Sequence, residues 1–234
     1  MIITKQDEEL LRELKQKHDN CKLCRGSDAL CDSYLPIRLE MGKINSNIPS
    51  HYRQMTFKSI DEPKLKKAIG AIKAYIDLAK FYKNSGKGLY IHGASGTAKT
   101  SVGCILLMEL IKKGYSTYYT DLNDYLESQF KSYEEDNREL YDTLQEKDFV
   151  LLDNMGREYQ DSKGVKKAMI EELIRSRTDK GLPIIMISNL SEDELMQANA
   201  RVRSLLKEHF LPPIHFNCKD YREKIRQENE TDKK

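Results

Sequence analysis

The sequence predicts an α/β domain: a mainly parallel sheet flanked by helices, preceded by a small N-terminal module. Three observations lead there. Short apolar runs over 88–92, 115–119, 148–152, 183–188 and 213–217 alternate with stretches of helical periodicity. Strands separated by helices need crossover connections, and crossovers make neighbouring strands parallel. The third observation is local: between the first strand and the first long helix lies a glycine-bearing turn that ends in lysine and threonine, Gly93 to Thr100. A strand, a glycine-rich turn and a helix N-terminus in that order make a phosphate cradle.

Composition sets the frame. The chain has 234 residues, 39% hydrophobic and 32% charged, with a net charge of +2. That is enough for one sizeable core plus a small module, and the charge is too small to argue for nucleic-acid binding by itself. No apolar run approaches the roughly 18 residues of a membrane span. The N-terminal stretch is charged and lacks the apolar segment of a signal peptide. A cytoplasmic protein with no membrane contact is expected.

Along the chain, residues 6–17 carry Leu10, Leu11 and Leu14 at helical spacing. A cysteine-bearing loop follows, then a segment with Pro36, Gly42, Pro49 and little periodicity. Residues 1–50 read as a separate module and residues 51–234 as the main domain, entered through a connector over 51–62. From Pro63 to Lys83 the apolar positions fit one long amphipathic helix. Helices are then expected over 99–113, 122–133, 135–146 and 164–180, with Gly114 and Gly181 as stops. Ser191 and Glu194 form a capping box for a further helix.

The phosphate-binding candidates are Gly93, Ala94, Ser95, Gly96, Thr97, Ala98, Lys99, Thr100 and Ser101. Glycines let successive N–H groups turn toward phosphate oxygens. Lys99 would neutralise the β- and γ-phosphates of ATP and the Thr100 hydroxyl would hold Mg²⁺. Ala98 stands where the strict pattern has glycine, so a different backbone angle is expected there. Asp153 ends the strand at 148–152 and suits a carboxylate that holds Mg²⁺. The next position, where a glutamate general base is common, is Asn154. An amide orients water but does not take its proton, which leaves nearby Glu158 as a substitute. Asn189 follows the strand at 183–188, at the carboxyl edge where ligands of open α/β sheets collect.

The order of these motifs, followed by Arg201, Val202, Arg203 and then by Asp220, Tyr221, Arg222, resembles the AAA+ (RecA-like) domain of DnaC/DnaI-type bacterial replicative helicase loaders. The resemblance covers about residues 49–226, and IstB-like transposition helpers share the layout. It implies an ATP-binding protein that delivers a replicative DNA helicase to DNA, and the departures from the family pattern at Ala98, Asn154 and Leu205 make a weak ATPase the expectation. Asn189 would then be the sensor-1 residue and Arg222 the sensor-2 arginine. The arginine-finger position falls on Leu205, leaving Arg201 and Arg203 as candidates. The resemblance further implies self-association on ATP binding and single-stranded DNA as a partner, with lysines such as Lys64, Lys66, Lys67, Lys112 and Lys113 available to phosphates. A transposition helper and a nucleotide-binding adaptor with little hydrolysis are the alternatives.

Cys21, Cys24 and Cys31 have metal-ligand spacing, with His18 or His51 as fourth ligand. Two thiolates two residues apart grip one tetrahedral Zn²⁺ and a third closes a short loop. DnaI-type loaders resemble this chain in carrying an N-terminal zinc module that contacts the helicase.

Overall fold

A computed structural model describes residues 4–22, 32–60, 62–135, 139–156, 164–191, 193–195, 200–218 and 220. Five parallel strands, β1 (Leu89–His92), β2 (Thr117–Asp121), β3 (Phe149–Met155), β4 (Ile184–Ser188) and β5 (Ile214–His215), lie in the order β2-β3-β4-β1-β5. The chain therefore leaves β1, crosses to the far edge at β2, and returns strand by strand. Both faces of the sheet are covered, which is why the strands read as unbroken apolar runs. Leu89, Ile91, Phe149, Leu151, Ile185 and Ile187 face α3 (Lys66–Asp77) and α5 (Lys99–Lys112). Tyr90, Val150, Leu152, Ile184 and Met186 face α6 (Leu122–Glu135), α8 (Val165–Asp179) and α9 (Ala200–His209), with α7 (Glu139–Glu146) beside them. The alternation follows the two-residue period of a strand.

The mainly parallel α/β fold is as expected, and four local features differ. The helix expected over 63–83 is divided: a 3₁₀ turn at Pro63–Leu65, α3, a break at Leu78, then α4 (Ala79–Ser85). No proline or glycine marks the break. It leaves Tyr82 stacked on Tyr75 with ring centroids 4.6 Å apart, while Leu78 and Phe81 remain exposed. Second, α1 (Lys5–Asp19) is followed by an unexpected helix, α2 (Leu35–Asn45). Pro36 stands in its first turn, where a missing N–H costs nothing. Gly42 lets α2 approach α5, since a methyl group there would lie 2.7 Å from Ile111 Cγ2. Third, β2 runs two residues later than expected, so that it ends on Asp121. Fourth, β3 continues to Met155 through an irregularity in its pairing with β4, where Asn154 takes a left-handed φ of 61°.

Contacts cross the expected boundary at residue 50. The backbone N–H of Tyr119 donates to Ser46 O at 2.8 Å, and Asn47 Nδ2 to Tyr119 O at 3.1 Å. Ile48 is fully buried in the core shared with α3 and α5. Arg53 donates to Ile48 O at 2.7 Å and forms a buried ion pair with Asp7 of α1.

Candidate functional site

The loop 93–98 leaves β1 at the carboxyl edge of the sheet and turns into α5. Close approach fixes its glycines: a methyl group at Gly93 would strike the Phe216 carbonyl, and one at Gly96 the Asp220 carboxylate. Ala98 does take the left-handed conformation, φ 63° and ψ 17°, as N-cap of α5. The different backbone angle expected from the departure at this position is therefore not seen: the alanine keeps the left-handed conformation that glycine adopts most readily. The cap places the first N–H groups of a 14-residue helix at the loop, where the helix dipole favours an anion.

Side chains from four segments converge there. Buried Lys99 donates through Nζ to Gly93 O and Ala94 O, both at 2.7 Å, and to Asn189 Oδ1 at 3.0 Å. Thr97 donates to Ala94 O at 2.8 Å and tightens the turn. Thr100 Oγ1 donates to Asp153 Oδ2 at 2.8 Å, and the Tyr119 hydroxyl reaches the same oxygen at 3.2 Å. Burial pushes the Asp153 carboxyl above the usual range, opposed by hydrogen bonds from Thr100, the Asn154 backbone and Tyr119. These groups open on a cavity of about 570 Å³ lined by Ser95 to Ser101, Asp153, Asn154, Ser188 and Asn189, and also by the connector residues His51, Tyr52 and Met55. That volume suits a nucleotide-sized ligand.

The structure thus joins the loop, Asp153, Asn154 and Asn189. The connector residues His51, Tyr52 and Met55 carry no sequence signal that marks them as wall residues. Their segment shows no periodicity, and only the path of the chain brings them to the loop. His51, one option for a metal ligand, lies in this wall with its ring 4.0 Å from that of Tyr52. Leu205 is buried among the residues under α9, and Arg203 is exposed on the same helix. Arg222, Glu158, Cys24, Cys31 and the side chain of Arg201 lie outside the described residues. His18 is buried at the end of α1, its Nδ1 2.8 Å from Ser33 Oγ, and Cys21 is half-buried. Among the described residues no group of three His, Cys, Asp or Glu is arranged to hold a metal. No described helix is long and apolar enough to cross a membrane.

A phosphate loop after β1 of a parallel β2-β3-β4-β1-β5 sheet, with a polar residue ending the intervening β4 and an aspartate on β3, defines a P-loop nucleotide-binding domain of the AAA+ class. The chain belongs to the family of IstB-like ATP binding proteins, whose model matches residues 71–202. It is 29% identical over 122 residues to the replicative helicase loader DnaI of Bacillus subtilis, across 51% of this chain and 39% of that protein. The chain thus spans about two-fifths of the length of this curated relative. Among solved structures, DnaI is similar at 20% identity and a TM-score of 0.59, over 74% of this chain and 93% of that one. The DnaC helicase loader is similar at 19% identity and a TM-score of 0.63, over 72% of this chain and 100% of that one. At such identities the two structures speak for the fold.

Proposed function

We propose that this protein is an ATP-binding loader that delivers a replicative DNA helicase to DNA during initiation of replication. The observation that carries the reading is the convergence of Lys99, Thr100, Asp153 and Asn189 on one cavity behind the phosphate loop. Lys99 meets the phosphates, and Thr100 with Asp153 holds Mg²⁺. The pair fits a divalent cation: two oxygens of the right hardness lie 2.8 Å apart on adjoining elements. Bound there, Mg²⁺ would neutralise charge on the phosphate oxygens. Asn189 meets the γ-phosphate end, Arg222 supplies positive charge to the γ-phosphate of its own subunit, and Arg201 or Arg203 supplies more to a neighbour on assembly. Similarity to a loader over half of the chain supports the partner assignment.

Residues 1–50 act as the helicase-contacting module, stabilised by Zn²⁺ on Cys21, Cys24, Cys31 and His18, and residues 51–234 as the ATP-binding domain. Single-stranded DNA and further copies of the chain are the remaining partners. Lys64, Lys66 and Lys67 are exposed and available to a DNA backbone.

A second reading, a nucleotide-binding adaptor with little hydrolysis, is favoured by one observation: the residue after Asp153 is an amide whose N–H is directed at Asp121. Titration with a fluorescent ATP analogue tests the binding step, and Lys99→Ala removes most of the affinity. Affinity capture from the native cell tests the partner: a replicative helicase is recovered, and its recovery depends on ATP. Equal affinity of wild type and Lys99→Ala, or capture without a helicase, would overturn the respective part.

A further inference from the structure

The ends of β2 and β3 carry a pair of side chains whose arrangement bears on turnover. Asp121 and Asp153 are register partners on adjacent parallel strands. One residue on, Asn154 adopts φ 61° at the irregularity in β3, a conformation that asparagine and aspartate tolerate better than other side chains. Its backbone N–H donates to Asp153 Oδ1 at 2.8 Å, and its side-chain Nδ2 donates across the strands to Asp121 Oδ2. Asp121 Oδ1 in turn accepts from the Asn123 N–H at 2.8 Å at the start of α6. Asn154 lines the cavity and Asp121 does not. One carboxylate and one amide therefore face each other, with the carboxylate on the strand further from the phosphate loop.

We propose that Asp121 and Asn154 form an exchangeable carboxylate–amide pair, that Asp121 is the positioning residue for the Asn154 amide, and that the side of the pair holding the carboxylate sets the rate of ATP hydrolysis. The inference rests on the ATP-binding reading above. In hydrolysis a water oxygen bonds to the γ-phosphorus as the bond from that phosphorus to the β–γ bridging oxygen breaks. ADP leaves with the electron pair, and the water gives up a proton. Asn154 orients that water through its amide but has no basic oxygen to take the proton, so the wild type turns over slowly. A carboxylate at 154 alone is not a remedy. It would face Asp121 at hydrogen-bonding distance, and two carboxylates sharing a site cannot both ionise freely. Exchanging the two residues keeps one donor and one acceptor across the strands, keeps a side chain at 154 that suits the left-handed backbone, and moves the basic oxygen to the cavity wall.

The test compares wild type, Asn154→Asp, Asp121→Asn and the exchange Asp121→Asn/Asn154→Asp. Single-turnover hydrolysis is measured with saturating Mg-ATP and protein in excess, beside nucleotide titration and thermal melting of each. General-base help is worth about 10²–10⁴-fold, so the exchange is expected to hydrolyse at least about tenfold faster than wild type and faster than Asn154→Asp. Asn154→Asp is expected to melt below wild type, and the exchange to recover that loss. An exchange that binds ATP yet is no faster than wild type overturns the inference. So does one no faster than Asn154→Asp, and so does one that fails to fold, because the pairing requires it to be tolerated. Absence of ATP binding by the wild type itself would instead show the failure of the underlying nucleotide-binding reading.

Discussion

Lys99 Nζ lies 3.0 Å from Asn189 Oδ1, tying the phosphate loop after β1 to the end of β4. The ammonium has three N–H donors, and the carbonyls of Gly93 and Ala94 also lie within 2.7 Å of it. A phosphate oxygen offers a charged acceptor, and such a bond is about twice as strong as a neutral one, so Lys99 can exchange a partner without losing its place. On the proposed reading Asn189 would then stand beside the terminal phosphate. Asn189→Ala is expected to raise the Kd for ATP about fivefold, the worth of one hydrogen bond of about 1 kcal/mol, with a smaller effect on ADP. Titration with both nucleotides checks it. Equal losses would place Asn189 away from the γ-phosphate.

Ala98 holds a left-handed conformation that a Cβ disfavours by about 1–2 kcal/mol. Its methyl group packs against the core below α5, which offsets part of that cost. Ala98→Gly is therefore expected to stabilise the protein by about 0.5–1 kcal/mol, raising the melting midpoint by about 1–4 °C in a chain of this size. Differential scanning calorimetry reads this directly, and a lower midpoint would mean that the methyl contact outweighs the backbone strain.

Much of this site is legible in the sequence because its parts are local. Gly93 to Thr100 carries its own grammar of strand, turn and helix start, and Asp153 and Asn189 end apolar runs that only buried strands explain. Asp121 is not legible in that way. The expected strand stops at 119, and the partner across the sheet, Asn154, is 33 residues away and turned toward it by a left-handed backbone. The wall formed by His51, Tyr52 and Met55 depends equally on tertiary path. α2 escaped because its proline and glycine read as breakers, whereas Pro36 opens the helix and Gly42 serves close packing. The division at Leu78 follows the packing of Tyr75 on Tyr82 and has no local marker.

Arg177 is fully buried, and its guanidinium donates to the carbonyls of Leu144, Lys147 and Pro183. It thereby joins the end of α7 to the starts of β3 and β4, and burial pushes its pKa down to about 10. Arg177→Ala strands those carbonyls away from water and opens a cavity. A buried unsatisfied group costs about 1–3 kcal/mol, so a total loss of at least about 3 kcal/mol is expected, a large share of a typical stability of about 5–15 kcal/mol. Urea denaturation should show a lower midpoint with an unchanged slope. Arg177→Lys, which lacks the planar fork, should recover only part of the loss. A midpoint unchanged in Arg177→Ala would show that water reaches these carbonyls.

His92 ends β1 directly before the phosphate loop and stacks on His215 of β5 at 4.7 Å between ring centroids and on Tyr90 at 5.7 Å. Burial pushes its pKa below the usual value, His215 and Lys99 push it the same way, and Glu194 opposes them. The sign follows from linkage. The unfolded chain protonates this histidine near pH 6.5, and the folded chain resists until a lower pH. Between those values the unfolded state binds more protons, so stability falls as pH falls through that window. Above it both states are neutral at His92 and the residue contributes no slope. Melting temperature should therefore drop on acidification from pH 7 to pH 5, and His92→Gln should flatten the drop. His215→Gln should flatten it partly, because it removes one of the charges that hold the His92 pKa down. A bound phosphate would act in the opposite sense, since an anion beside the ring favours the imidazolium, and saturating nucleotide should shrink the acid-induced drop in wild type but not in His92→Gln. Melts of the three proteins across this pH range, with and without Mg-ATP, check each part. A slope identical in wild type and His92→Gln would assign the acid sensitivity to other groups.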